Sequence, residues 1–185
     1  MRANRWAHAL RCAWQGRNPL SNTLKAPKVI DSRSRPFHAL AMERIHATCV
    51  VIKGHGVLLR GASGSGKSDL ALRLIDGGAG LVADDYTELS VEDGQLFAGV
   101  PQTIQGLLEV RGIGIVHLGC VPRVPVAAIF DLVALSAVER LPEQQVETIE
   151  GVSVARFAIR GLDASAPAKV RMALKAHAEN LFHST

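Results

Sequence analysis

Residues Gly61-Ala62-Ser63-Gly64-Ser65-Gly66-Lys67-Ser68 set glycines at both ends of a four-residue spacer, with a lysine and a serine directly behind. Glycine opens backbone conformations closed to other residues, so successive N–H groups converge on phosphate oxygens. In such a loop the lysine reaches the β- and γ-phosphates, and the hydroxyl takes a magnesium ion that bridges them. The segment is a complete Walker A loop. It implies a nucleoside triphosphate such as ATP with Mg2+, but no particular reaction, because many NTPases and kinases share it.

A second chemical feature follows. Asp84-Asp85 ends the apolar run Leu81-Val82-Ala83, which puts acids at the carboxyl end of a strand, where open α/β sheets hold their ligands. A carboxylate there orients a nucleophile and takes its proton, which is most of what phosphoryl transfer asks of a side chain. Glu109 lies within Gly106-Leu107-Leu108-Glu109-Val110-Arg111-Gly112-Ile113-Gly114-Ile115-Val116, otherwise apolar. An acid within an apolar strand needs a partner or a metal; Arg111 is the alternative partner.

These residues require elements to carry them. Gly56-Val57-Leu58-Leu59-Arg60 reads as a buried strand entering the loop, and Asp69 to Asp76 as a helix leaving it, stopped by Gly77-Gly78. Ile45 to Ile52 is rich in β-formers, and Lys53-Gly54-His55-Gly56 turns it into a hairpin with the loop strand. Glu88 to Phe97 reads as a second hairpin around Asp93-Gly94. The glycines of 106–116 imply a bend or a close backbone approach. Val124 to Leu135 reads as a buried strand containing Asp131, and Val146 to Ile159 as further strand around Gly151. A closing helix is capped by Asp163 or Ser165, has Pro167 in its first turn, and carries Val170, Leu174, His177 and Leu181 on one face.

The chain has 185 residues, 48% of them hydrophobic, enough for one buried core. Its +4 charge is local. Of 21 Lys or Arg and 17 Asp or Glu, eight bases and one acid fall in 1–41, so 42–185 carries 13 and 16, a net of −3. The core therefore does not read as a nucleic-acid binder. Cys12, Cys49 and Cys120 have neither disulfide nor zinc spacing, which suits a reducing cytoplasm. No apolar run is long enough to span a bilayer. Residues 1–41 are expected to be a basic, disordered extension, or an artefact of start-site choice; their Arg-rich, acid-poor composition also resembles a transit peptide. The catalytic domain is expected over 42–185.

Residues 46–116 resemble the catalytic domain of the HPr kinase/phosphorylase family, which phosphorylates a serine of the phosphocarrier protein HPr and can remove the phosphate. The resemblance is carried by His46, by Gly61 to Ser68, by Leu81-Val82-Ala83-Asp84-Asp85, and by Leu107-Leu108-Glu109-Val110-Arg111-Gly112-Ile113-Gly114. It implies an α/β P-loop domain of the HPr kinase and phosphoenolpyruvate carboxykinase type. It further implies Asp85 as proton acceptor, His46 as its hydrogen-bond partner, Glu109 with Ser68 at magnesium, and Arg140 as a phosphate-stabilising arginine on a loop. HPr as partner and a homo-hexamer follow from the same resemblance. Two departures stand out. The segment Arg160-Gly161-Leu162-Asp163-Ala164-Ser165-Ala166-Pro167-Ala168 lacks the Pro, Gly, Arg and Asn pattern associated with dephosphorylation, and 1–41 is expected to be too short and too polar to replace the separate N-terminal domain of longer members. A small-molecule kinase and a regulatory nucleotide-binding module are the alternatives.

Overall fold

The computed structural model describes residues 43–101 and 104–182. They fall in one of two units of the chain, Asp31–Thr185; the expected extension over 1–41 lies outside the described residues. The element order is β1 (Glu43–His46), β2 (Thr48–Ile52), β3 (His55–Arg60), α1 (Lys67–Asp76), β4 (Gly80–Ala83), β5 (Tyr86–Glu92), β6 (Gln95–Gly99), β7 (Leu107–Val110), β8 (Gly114–His117), β9 (Arg123–Leu132), β10 (Gln145–Ile149), β11 (Val152–Ile159) and α2 (Ala166–Ala178).

The main sheet is mixed. Strand β9 runs parallel to β3 on one side and to β11 on the other. Beyond β3 lie β2 and then β4, each antiparallel to its neighbour, so β4 points the same way as β3. Four strands, β3, β4, β9 and β11, thus present their carboxyl ends at one edge, which is where an α/β sheet binds ligands. The start of β2 shares that edge. The other end of β9 pairs with β6, which continues through β5 to β1.

Both faces of the central strands are buried, which is why Val57-Leu58-Leu59 is an unbroken apolar run. Val57, Leu59 and Phe130 pack with Leu70 and Leu74 of α1 and Val170 of α2. Leu58 and Ile129, one residue out of phase, pack with Val82, Leu89 and Leu96 on the opposite face. Burial drives the Cys49 thiol pKa up, and it packs there as a small hydrophobe.

Several expectations are corrected. The stretch Ile45–Ile52 is two strands broken at Ala47, because β1 pairs with β5 while β2 pairs with β3 and β4; the Thr87 hydroxyl donates to the Ala47 carbonyl at 2.8 Å and satisfies the break. Residues 107–117 form a separate two-stranded hairpin, β7 with β8, turned by Gly112 and Gly114 at φ 83° and 122°. The α2 face is Ala166, Val170 and Ala176, with Leu174 packed against it. His177 is exposed, since the helix meets the core one residue earlier in phase. Ser165 takes the cap position without a side-chain hydrogen bond; the Asp163 carbonyl accepts from Ala166 N–H at 3.0 Å instead.

Candidate active site

The phosphate loop leaves β3 at Gly61 and enters α1 at Gly66, whose φ of 95° is left-handed. The loop carries the amide groups of the helix N-terminus with it, a ready anion site. Lys67 is 7% exposed, and its Nζ donates to the carbonyls of Gly61 at 3.0 Å and Ala62 at 3.3 Å. Among the described residues no carboxylate pairs with it. A buried ammonium held only by neutral carbonyls is a donor set made for an anion, so the loop fits a triphosphate.

A cleft of about 390 Å³ opens above this loop. Its lining brings together His46, Ser63, Gly64, Gly66, Lys67, Ser68, Asp85, Glu109 and Arg111. Gly61, Ala62 and Ser65 complete the loop behind it. Arg140 is exposed on the segment after β9 and is not among the lining residues.

The two aspartates after β4 have different surroundings. Asp84 Oδ1 accepts from the buried Thr48 hydroxyl at 2.8 Å and from Ser68 Oγ at 3.2 Å. Asp85 projects into the cleft from a tight turn: its φ is 63°, and Tyr86 N–H donates across it to the Asp84 carbonyl at 2.8 Å. Such a three-residue turn with positive φ is a strained conformation, of the kind that collects at functional positions. The Asp85 carboxylate is 58% exposed and lies 3.9 Å from His46 Nε2. That is ion-pair distance and too long for the hydrogen bond expected between them. The Tyr86 ring, cross-strand neighbour of His46, meets the imidazole edge-on at 5.9 Å.

Glu109 differs from its expected setting. It is exposed, because β7 belongs to the small hairpin and not to the main sheet; burial therefore does not demand a partner for it, and no ion pair to Arg111 is present among the described residues. Leu108, on the other face of β7, is fully buried and fixes which side Glu109 presents. For magnesium the oxygen donors suit a hard cation: Ser68 with Asp84 behind it, and Glu109 across the cleft. No group of three or more His, Cys, Asp or Glu able to hold a metal occurs among the described residues.

Sequence reasoning missed two neighbours of the site residues, Thr48 and Tyr86, and a brace at the end of β3. Thr48 gave only a strand signal, though it stands two residues after His46. Tyr86 follows the Asp pair unmarked. Arg60, last in β3, makes a bidentate pair with Asp131 at 2.9 and 3.2 Å and a second with Glu147 at 2.6 and 2.7 Å. Arg156 joins Asp131 at 2.6 Å. Burial raises the Asp131 pKa, but hydrogen bonds from Arg60 and Arg156 outweigh it and leave it below the usual value. The hydrogen bond from Arg60 lowers that of Glu147, and the one to Glu147, against burial, raises that of Arg60.

Residues 38–121 match the family model described as HPr Serine kinase C-terminal domain. HPr kinase/phosphorylase of Brevibacillus brevis is 41% identical over 105 residues, covering 55% of this chain and 32% of that protein. That of Bordetella pertussis is 49% identical over 75 residues, 40% of this chain and 24% of the relative. The chain spans only about a third or less of the length of these curated relatives. The solved structure of the HPr(Ser) kinase/phosphatase from Coxiella burnetii superposes with a TM-score of 0.68 at 28% identity, over 75% of this chain and 98% of that one.

Proposed function

We propose that this chain, an α/β P-loop domain similar over residues 38–121 to the HPr serine kinase C-terminal domain, is an ATP-dependent kinase that phosphorylates a seryl hydroxyl of HPr. The observation that carries the reading is the gathering of His46, Asp85, Glu109 and Arg111 into the cleft above Gly61 to Ser68. In this reading loop amides and Lys67 hold the phosphates and offset the charge that develops on transfer. Asp85 accepts the hydroxyl proton at its exposed carboxylate, and His46, packed on Tyr86, keeps that carboxylate turned inward. Ser68 and Glu109 would hold magnesium, with Asp84 orienting the Ser68 hydroxyl; the ion would supply positive charge against the phosphates. Arg140 has the proposed role of reaching phosphate from its loop.

A protein acceptor is favoured over a small molecule by the rim of the cleft. Ile115 stands opposite Glu109 in the β7–β8 register, and Ile115, Ile113 and Tyr86 are 72%, 78% and 51% exposed. An open, apolar-studded rim suits a docking protein surface better than an enclosed acceptor pocket. The reading places the kinase in the cytoplasm as a homo-hexamer serving control of carbohydrate metabolism through the phosphotransferase system. No helix among the described residues is long and apolar enough to cross a membrane, and no nucleic-acid role is proposed.

Incubation with radiolabelled ATP, magnesium and purified HPr tests the reading. Label on HPr is expected. Asp85→Asn keeps ATP binding and loses transfer by roughly 100-fold or more, the scale of a lost general base. Asparagine tolerates the positive φ, so the turn survives the change. Normal transfer by Asp85→Asn overturns the mechanism, and ATP binding without turnover favours a regulatory module.

A further inference from the structure

The segment that departs from the dephosphorylation pattern, 160–168, sits directly on the phosphate loop at Gly161 and Leu162. A Cβ on Gly161 would come within 2.9 Å of the Ser65 carbonyl and 2.8 Å of Leu132, and one on Gly66 within 2.7 Å of the Leu162 side chain. Leu162 therefore covers Gly66, yet it is 56% exposed and lines the cleft. Its turn is clamped from the helix of the phosphate loop itself. Arg73, on α1, donates to the Gly161 carbonyl through Nη2 and to the Asp163 carbonyl through Nη1 at 2.8 Å. Arg73 is in turn held by Asp69 at 2.7 Å, and the Asp163 side chain is pinned by Lys169 at 3.1 Å.

Topology says which part of a nucleotide meets this turn. The phosphate loop follows β3, and the acids at its γ-phosphate end come from the β4 side of the sheet. The turn after β11 lies on the opposite side of β3, two strands away. A triphosphate with its terminal phosphate toward Asp85 has its nucleoside toward Leu162. We propose that Leu162 is the apolar wall for the nucleoside half of the nucleotide, and that Arg73 is the positioning residue that holds it there by gripping the backbone on either side. A half-exposed leucine on a fixed turn then has a ligand surface to cover, and the arginine fork satisfies two carbonyls that would otherwise compete with it. The proposal rests on the nucleotide-binding reading of the loop.

The test compares magnesium ATP with magnesium tripolyphosphate, which has the phosphates and no nucleoside, by titration calorimetry on folded protein checked by thermal melting. Leu162→Ala, a change at an exposed position, is expected to weaken ATP about five- to tenfold, the scale of one leucine contact, and to leave tripolyphosphate unchanged. Arg73→Ala is expected to do the same to ATP, with partial rescue by Arg73→Lys, which reaches one carbonyl. If Leu162→Ala binds ATP like the unaltered protein, or loses ATP and tripolyphosphate alike, the proposal is overturned while the phosphate-loop reading stands. If the unaltered protein binds neither probe, that reading falls and takes the proposal with it.

Discussion

Asp84 and Asp85 are neighbours in the chain and opposites in environment. Asp84 is tied to Thr48 and Ser68, whereas Asp85 is aimed into the cleft by a positive-φ turn. The pair was legible as acids at a strand end, and the resemblance singled out Asp85, but their different surroundings were not legible, because these depend on one backbone dihedral and on a threonine 36 residues away. The division makes separable expectations. Asp84→Asn raises the magnesium concentration needed for half-maximal transfer by roughly tenfold, as loss of a group orienting a metal ligand does, and a magnesium titration of HPr labelling reads it. Asp85→Asn leaves that requirement unchanged and lowers the maximal rate. Gly66→Ala acts on the loop and on the Leu162 side chain over it: its φ of 95° and the 2.7 Å approach of Leu162 both oppose a side chain. About 1–3 kcal/mol of stability is expected to go, measured by urea unfolding, together with ATP affinity.

At the scale of elements, the buried strands and the α1 helix were legible because their apolar periods are strong. The hairpin β7–β8 was not. Its glycines implied the bend that the turn at Gly112 and Gly114 makes, but not that the two halves pair with each other apart from the main sheet, and only the pairing of Glu109 with Ile115 separates the exposed face from the buried one. The brace across β3, β9, β10 and β11 was also hidden, as Arg60, Asp131, Glu147 and Arg156 are scattered over nearly 100 residues. This brace has a pH signature. Both carboxyls titrate lower in the folded state than their ordinary 3.8 and 4.5, so the unfolded chain binds more protons and stability rises with pH through this range. The contribution is fully present above those ordinary values and is lost as pH falls through the lowered ones. Asp131→Asn is expected to cost about 3 kcal/mol at pH 7, the low end for breaking a shielded ion pair. It should also flatten the acid limb of stability measured by urea unfolding between pH 6 and pH 3, a range of about one unit or more either side of the carboxylate values.

For the whole molecule, the P-loop class and the edge that binds ligand followed from the order strand, loop, helix, strand, acids. The strand order itself did not, because β9 is shared between β3, β6 and β11, and no local pattern encodes which long-range partners a strand takes. Assembly belongs to this scale as well: light scattering is expected to give the mass of six copies, and a monomer that labels HPr at full rate would remove the hexamer from the proposed mechanism. The orientation of the sheet has a practical side. The turns Lys53-Gly54 and Glu150-Gly151 stand at the amino ends of β3 and β11, at the edge away from the phosphate loop, and all four residues are exposed with positive φ. They are natural handles: a dye, a crosslinker or a short peptide tag attached there reports on the protein without entering the nucleotide cleft.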